Sequence, residues 1–164
     1  MAQTSSLSRI NSTNVRFLFE TLARRIGLRT SALLAPGFAG MWAERLFLTP
    51  PQPRYPSAEV FDLLDARVSY VLHCGRHLAT WRWGPREAPA VLLAHGWGGR
   101  ATQMRRFVPP LIAAGYRVVA YDQPAHGLSE GRLTGLPDFA VALAAVAAHH
   151  GNVRHVISHS LAGA

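Results

Sequence analysis

Lysine is absent from the chain: all seventeen basic residues are arginine, set against nine acidic ones, for a formal charge of +8. A nucleic-acid surface usually mixes Lys with Arg and clusters them. Here the densest runs are only the pairs Arg24-Arg25 and Arg105-Arg106, so no nucleic-acid partner is expected. An all-Arg inventory with abundant Ala and Gly fits the codon bias of a GC-rich, bacterial genome. Cysteine is almost absent too. Cys74 stands alone, which excludes an intrachain disulfide and leaves nothing to argue for an oxidising compartment. The N-terminus lacks the basic-then-apolar order of a secretory signal. No apolar run approaches the ~18 residues that a transmembrane segment needs. A cytoplasmic location is the expectation.

What the chain does contain is 49% hydrophobic residues in 164 positions, enough for a domain with a real core. Residues 1–13 are Ser/Thr-rich and read as frayed. Asn14 can cap a helix over residues 15–26, with Phe17, Leu18, Leu22 and Ile26 on one face and Gly27 placed to end it. Residues 30–47 form a second apolar stretch broken at Pro36-Gly37, with 43–47 helical. This arm could attach to a membrane surface, but its arginines form no single polar face, which favours a helical extension packed on protein. Residues 49–56 are proline-rich and read as a linker. The chain thus divides at 1–57, a helical extension plus linker, and 58–164, the core.

In the core, residues 66–73 and 77–83 alternate as two strands of a hairpin, with Cys74, Gly75 and Arg76 as its turn. Residues 90–94 are continuously apolar, as in a strand buried on both faces. A helix over 102–114, interrupted near Pro109-Pro110, precedes a second buried strand at 116–121. An Ala-rich helix from Pro137 to His149, closed by Gly151, precedes a third at 153–158. Strand, helix, strand, helix, strand implies an α/β fold with a parallel sheet and right-handed crossovers.

Each of the last three strands runs into a loop with chemical content, at the strand ends where open α/β sheets build their sites. The first is His95-Gly96-Trp97-Gly98-Gly99, a glycine turn whose amides can face a developing oxyanion. By itself it could equally cradle a phosphate, although the P-loop's Lys-Ser/Thr ending is missing. The second runs from Asp122 through Pro124, Ala125, His126 and Gly127 to Ser129. The third, Ser158-His159-Ser160-Leu161-Ala162, has the small-x-Ser-x-small form of a nucleophile elbow, where only small residues fit two positions either side of the serine. Competing sites are weaker. His73, Cys74 and His77 straddle a hairpin that points them apart, His155 and His159 are four apart but on a strand and its turn and not on a helix, and His149-His150 simply meets a helix C-terminus. No metal or organic cofactor is expected.

The three loops, in this order, resemble the α/β-hydrolase superfamily over about residues 66–164, with Ala125, Ser158 and Ala162 where the family carries glycine. The resemblance implies an N-terminal half of that fold, with Ser160 as nucleophile and the amides of Trp97 and Leu161 as oxyanion hole. His95, Gly96, Gly98, Asp122, His126, Ser158, His159 and Ala162 would support the site loops. It implies a serine hydrolase acting on esters or related small-molecule acyl compounds. The family's base and acid follow the serine in chain order, so the chain is expected to be the N-terminal part of a longer enzyme and inactive by itself. Asp122 and His126 belong to a loop that is structural in the family, which argues against their replacing that pair. A non-catalytic binding module of the same fold is the alternative. Self-association through an exposed sheet edge is expected of the fragment.

Overall fold

The computed structural model describes residues 12–51 and 65–164. The chain divides into two compact units, Met1–Phe47 and Leu48–Ala164. The division expected at residue 57, and the linker beyond Pro51, lie outside the described residues, as do residues 1–11.

The first unit is a pair of helices, α1 (Ser12–Leu34) and α2 (Pro36–Phe47). Asn14 is within α1 rather than at its cap. Gly27 does not end the helix. A Cβ there would sit 2.6 Å from the Trp42 ring, so glycine lets α2 pack close while α1 continues for another two turns. The break expected at Pro36-Gly37 is present: α1 ends at Leu34 and α2 opens on Pro36, whose missing N–H is no loss in a first turn. The expected apolar face also needs revision. At 100° per residue, Leu18, Leu22 and Ile26 share a side with Val15, Phe19 and Leu33, while Phe17 falls opposite; all are exposed. No helix among the described residues is long and apolar enough to cross a membrane.

The second unit is built on five strands: β1 (Arg67–His73), β2 (Arg76–Trp83), β3 (Ala90–Ala94), β4 (Arg117–Tyr121) and β5 (Val153–Ser158). They lie in the order β1-β2-β4-β3-β5. β1 and β2 form a hairpin whose turn is two residues, Cys74 and Gly75, rather than three. Both have positive φ, 48° and 72°, as the tight primed turns demand. β2 joins β4 antiparallel, and β4, β3 and β5 run parallel. Between β3 and β4 come a 3-10 segment (Ala101–Phe107) and a short helix α3 (Val108–Ala113). Pro109 and Pro110 therefore start a helix instead of interrupting one. Helix α4 (Leu136–His150) connects β4 to β5.

The apolar runs of β3 and β4 are wholly buried because both faces of the sheet are covered. Val91, Leu93, Val118 and Ala120 pack towards Met104 and Val108 on one face. Leu92, Ala94, Val119 and Tyr121 pack against Ala142 and Val146 of α4 on the other. Burying each such Val or Leu contributes about 1.5–3 kcal/mol. β5 departs from the expected burial. It pairs with β3 on one edge, and most of its residues are exposed, since it is the outermost strand among the described residues. The order places β3 between β4 and β5, so the chain leaves β3 to one side and returns on the other. Ligands of open α/β sheets bind at such a reversal, outside the carboxyl ends of the strands.

Candidate active site

β5 ends at Ser158, and His159 is still extended, with φ −123° and ψ 132°. Ser160 then turns sharply to φ 56°, a left-handed conformation that costs a non-glycine residue about 1–2 kcal/mol. A 3-10 turn, Ser160–Gly163, follows. The hydrogen bond from His159 N–H to Ala94 O, 3.0 Å, ties the turn to the end of β3. This is the geometry of an elbow: a strained serine, exposed to solvent, at the carboxyl edge of the sheet.

Gly96 explains how the glycine loop meets that serine. A Cβ at Gly96 would sit 2.8 Å from both His159 O and Ser160 Cβ. Only glycine permits the two backbones to approach so closely. Trp97 follows directly, half-buried, its indole stacked on Phe139 of α4 (6.3 Å, 28°) and edge-on to His126 (5.5 Å). Gly98 has φ 67°, and its N–H donates to His126 Nε2 at 2.9 Å. Pro51 lies against Gly98 from the other side. The start of the expected linker is thus held on the site loop, further anchored by the hydrogen bond from Thr134 N–H to Leu48 O.

The two buried histidines have fixed protonation. A backbone N–H can only donate, so His126 Nε2 is the acceptor for Gly98, and its Nδ1 carries the proton given to Pro124 O at 2.9 Å. His95 repeats the arrangement. Nε2 accepts from Gln123 N–H at 2.9 Å, and Nδ1 donates to Gly96 O at 2.7 Å. Burial pushes the His95 imidazole down to about 3, and it lowers His126 as well. Both rings are neutral and have their lone pairs occupied by backbone N–H groups.

Asp122 is fully buried. Its carboxylate accepts from Ala101 N–H (2.7 Å) and Leu128 N–H (2.8 Å), which ties the loop after β4 to the segment after β3. Ser129 Oγ donates to Asp122 O and accepts from Ala79 N–H, so it is a buried brace between the loop and β2. Ala125 adopts φ 61°, the left-handed conformation for which glycine is better suited. Ser158 Oγ comes within 3.0 Å of where a Cβ on Gly163 would stand. Ala162 packs against the α4-side core, Leu161 is half-buried, and His159 is exposed. A cleft of ≈ 360 Å³ runs beside the elbow, between Met104 and Phe107 on one side and Ile157, Ser158 and His159 on the other. Sequence reading missed Phe139 as the partner of Trp97 and the Nδ1-protonated state of both histidines. The only sign of the first was one aromatic in an alanine-rich helix.

Comparison with known proteins matches this arrangement. Residues 91–164 fit the model of the alpha/beta hydrolase family. A human serine hydrolase-like protein is 33% identical over 92 residues, which are 53% of this chain and 45% of that protein. Over residues 91–164 the core is similar to the α/β-hydrolase family. Among solved structures, a thioesterase domain from the curacin biosynthetic pathway superposes at TM-score 0.54 and 26% identity, covering 58% of this chain and 37% of its own. Epoxide hydrolase A of Mycobacterium thermoresistibile superposes at 0.52 and 28% identity, covering 58% of this chain and 31% of its own. The chain therefore spans less than half the length of these α/β-hydrolase relatives. The five-stranded mixed sheet with flanking helices is the part of the fold that it shares with them.

Proposed function

We propose that this α/β-hydrolase core carries the nucleophile half of a serine hydrolase that cleaves carboxylic esters or related acyl compounds. One observation carries the reading: Ser160 is held at φ 56° at the end of a parallel strand, so close to Gly96 that a Cβ there would sit 2.8 Å from the Ser160 Cβ. Backbone strain of this kind persists where surrounding structure imposes it, and it clusters at reactive positions. Ser160 Oγ would add to the substrate carbonyl as its proton passes to a base. The resulting oxyanion would be stabilised by the amides of Trp97 and Leu161. The bond to the leaving group would then break, and water would release the acyl group from the serine. The superfamily draws its histidine base from beyond the serine in chain order, consistent with His95 and His126 being committed to the loops. The thioesterase likeness supports acyl transfer as the reaction class.

The test is a serine-directed fluorophosphonate, applied to the protein extended to the length of its relatives. Labelling should map to Ser160 and disappear in Ser160→Ala together with ester cleavage, whereas Ser129→Ala should keep both. Labelling that survives in Ser160→Ala would overturn the assignment. The 164 residues alone should show no turnover above the Ser160→Ala control. They should also self-associate through the outer edge of β5, since such an edge offers amides and carbonyls to another strand. Light scattering after size exclusion, with a hydrophobic dye, checks this; a monomeric, dye-silent chain contradicts it.

A further inference from the structure

At the opposite edge of the sheet, β4 begins with Arg117, which stands beside Ala90 at the start of β3. Four strand residues, Val118 to Tyr121, and roughly 15 Å separate it from the site loops. Arg117 is only 4% exposed. Its Nη2 donates to His150 O (3.0 Å) and Gly151 O (2.7 Å), so part of the guanidinium caps the C-terminus of α4. Capping does not account for the rest. Arg117 Nε and His150 Nε2 are both buried with no hydrogen-bond partner among the described residues, a costly condition for polar groups in a folded interior. Both residues face a pocket of ≈ 160 Å³ whose walls are completed by Arg82, Arg86, His149 and Ser69. Glu87 is the carboxylate that acts on Arg117, opposed by Arg82 and Arg86. Three arginines against one glutamate leave a surplus of two positive charges before either histidine is protonated.

We propose that Arg117, Arg82, Arg86 and His150 form a binding site for a phosphate group, at the amino end of the parallel strands and away from Ser160. A tetrahedral dianion balances the surplus charge and supplies acceptors for the orphaned Arg117 Nε–H and for a protonated His150. Guanidinium groups are the side chains best matched to phosphate oxygens. The volume is well below the roughly 300–1,000 Å³ of pockets for whole metabolites. The site therefore takes either free phosphate or the phosphate end of a larger molecule that extends past exposed Arg86 and His149.

Calorimetric titration of the chain with inorganic phosphate and with ethyl phosphate, at ionic strength matched with chloride, separates the two sources. Saturable binding of phosphate with weaker binding of the ester assigns free phosphate; tenfold tighter binding of the ester assigns a phosphorylated ligand. Arg82→Gln and Arg86→Gln, both away from the helix cap, should each weaken binding at least tenfold. A second readout is the His150 ring by NMR. Its imidazole is pushed down to about 4 by burial, with His149, Arg117 and Arg82 adding to the effect. Phosphate facing it should move that titration upward. Absence of saturable binding by either probe, or binding indifferent to both substitutions, would overturn the proposal.

Discussion

Gly127→Ala is expected to destabilise the core unit by about 3–5 kcal/mol, a large share of the 5–15 kcal/mol that holds a typical domain folded. Gly127 has φ 51°, so any side chain there costs about 1–2 kcal/mol from conformation alone. A methyl group would also overlap the Asp122 carboxylate. Asp122 cannot yield cheaply, because its two oxygens hold Ala101 N–H and Leu128 N–H in a buried setting. Displacing it leaves buried donors and a buried charge unpaired, at about 1–3 kcal/mol for each group. Gly115→Ala supplies the control. Gly115 has φ 84° with nothing near its missing Cβ, so this substitution carries the conformational cost without the collision. Urea midpoints should fall much further for Gly127→Ala than for Gly115→Ala. Equal losses would mean that Asp122 does not occupy the position on which the loop depends.

The parallel sheet was legible because β3 and residues 118–121 of β4 are unbroken apolar runs, as in a strand covered on both faces. The sharp turn at Ser160 was legible for a steric reason: small residues two positions either side of a serine let the backbone fold back on itself. The misreadings arose where one residue's meaning depends on a distant partner. Gly27 reads as a helix stop until Trp42 is seen to lie over it. β5 reads as buried on Val153, Val156 and Ile157, but Arg154 and His155 interrupt its apolar run, and among the described residues it pairs on one side alone. Arg117 is one of seventeen arginines in the sequence. It is set apart only by the carbonyls of α4 and the pocket around it.

The core unit should also be acid-labile, with His95 as the main cause. In the unfolded chain this imidazole binds a proton near pH 6.5; in the fold it does so only near 3, because it is buried. Hydrogen bonding opposes protonation as well. A second ring proton on Nε2 would face Gln123 N–H, setting donor against donor. Between these two values the unfolded state holds the extra proton, so stability is complete above pH 6.5 and is lost as the pH falls. The slope approaches about 1.4 kcal/mol per pH unit for one histidine. The accumulated loss by pH 3 is on the order of 4 kcal/mol. His126, lowered in the same direction by its own burial, steepens the fall. Urea unfolding from pH 7.5 down to 4.5 should show the midpoint dropping throughout the range below 6.5. His95→Gln keeps an acceptor for Gln123 N–H but has nothing to protonate. It should be less stable at pH 7.5 and show a visibly shallower pH dependence. An unchanged slope in that variant would take the acid lability away from His95 and with it the neutral, Nδ1-protonated ring on which the site loops are built.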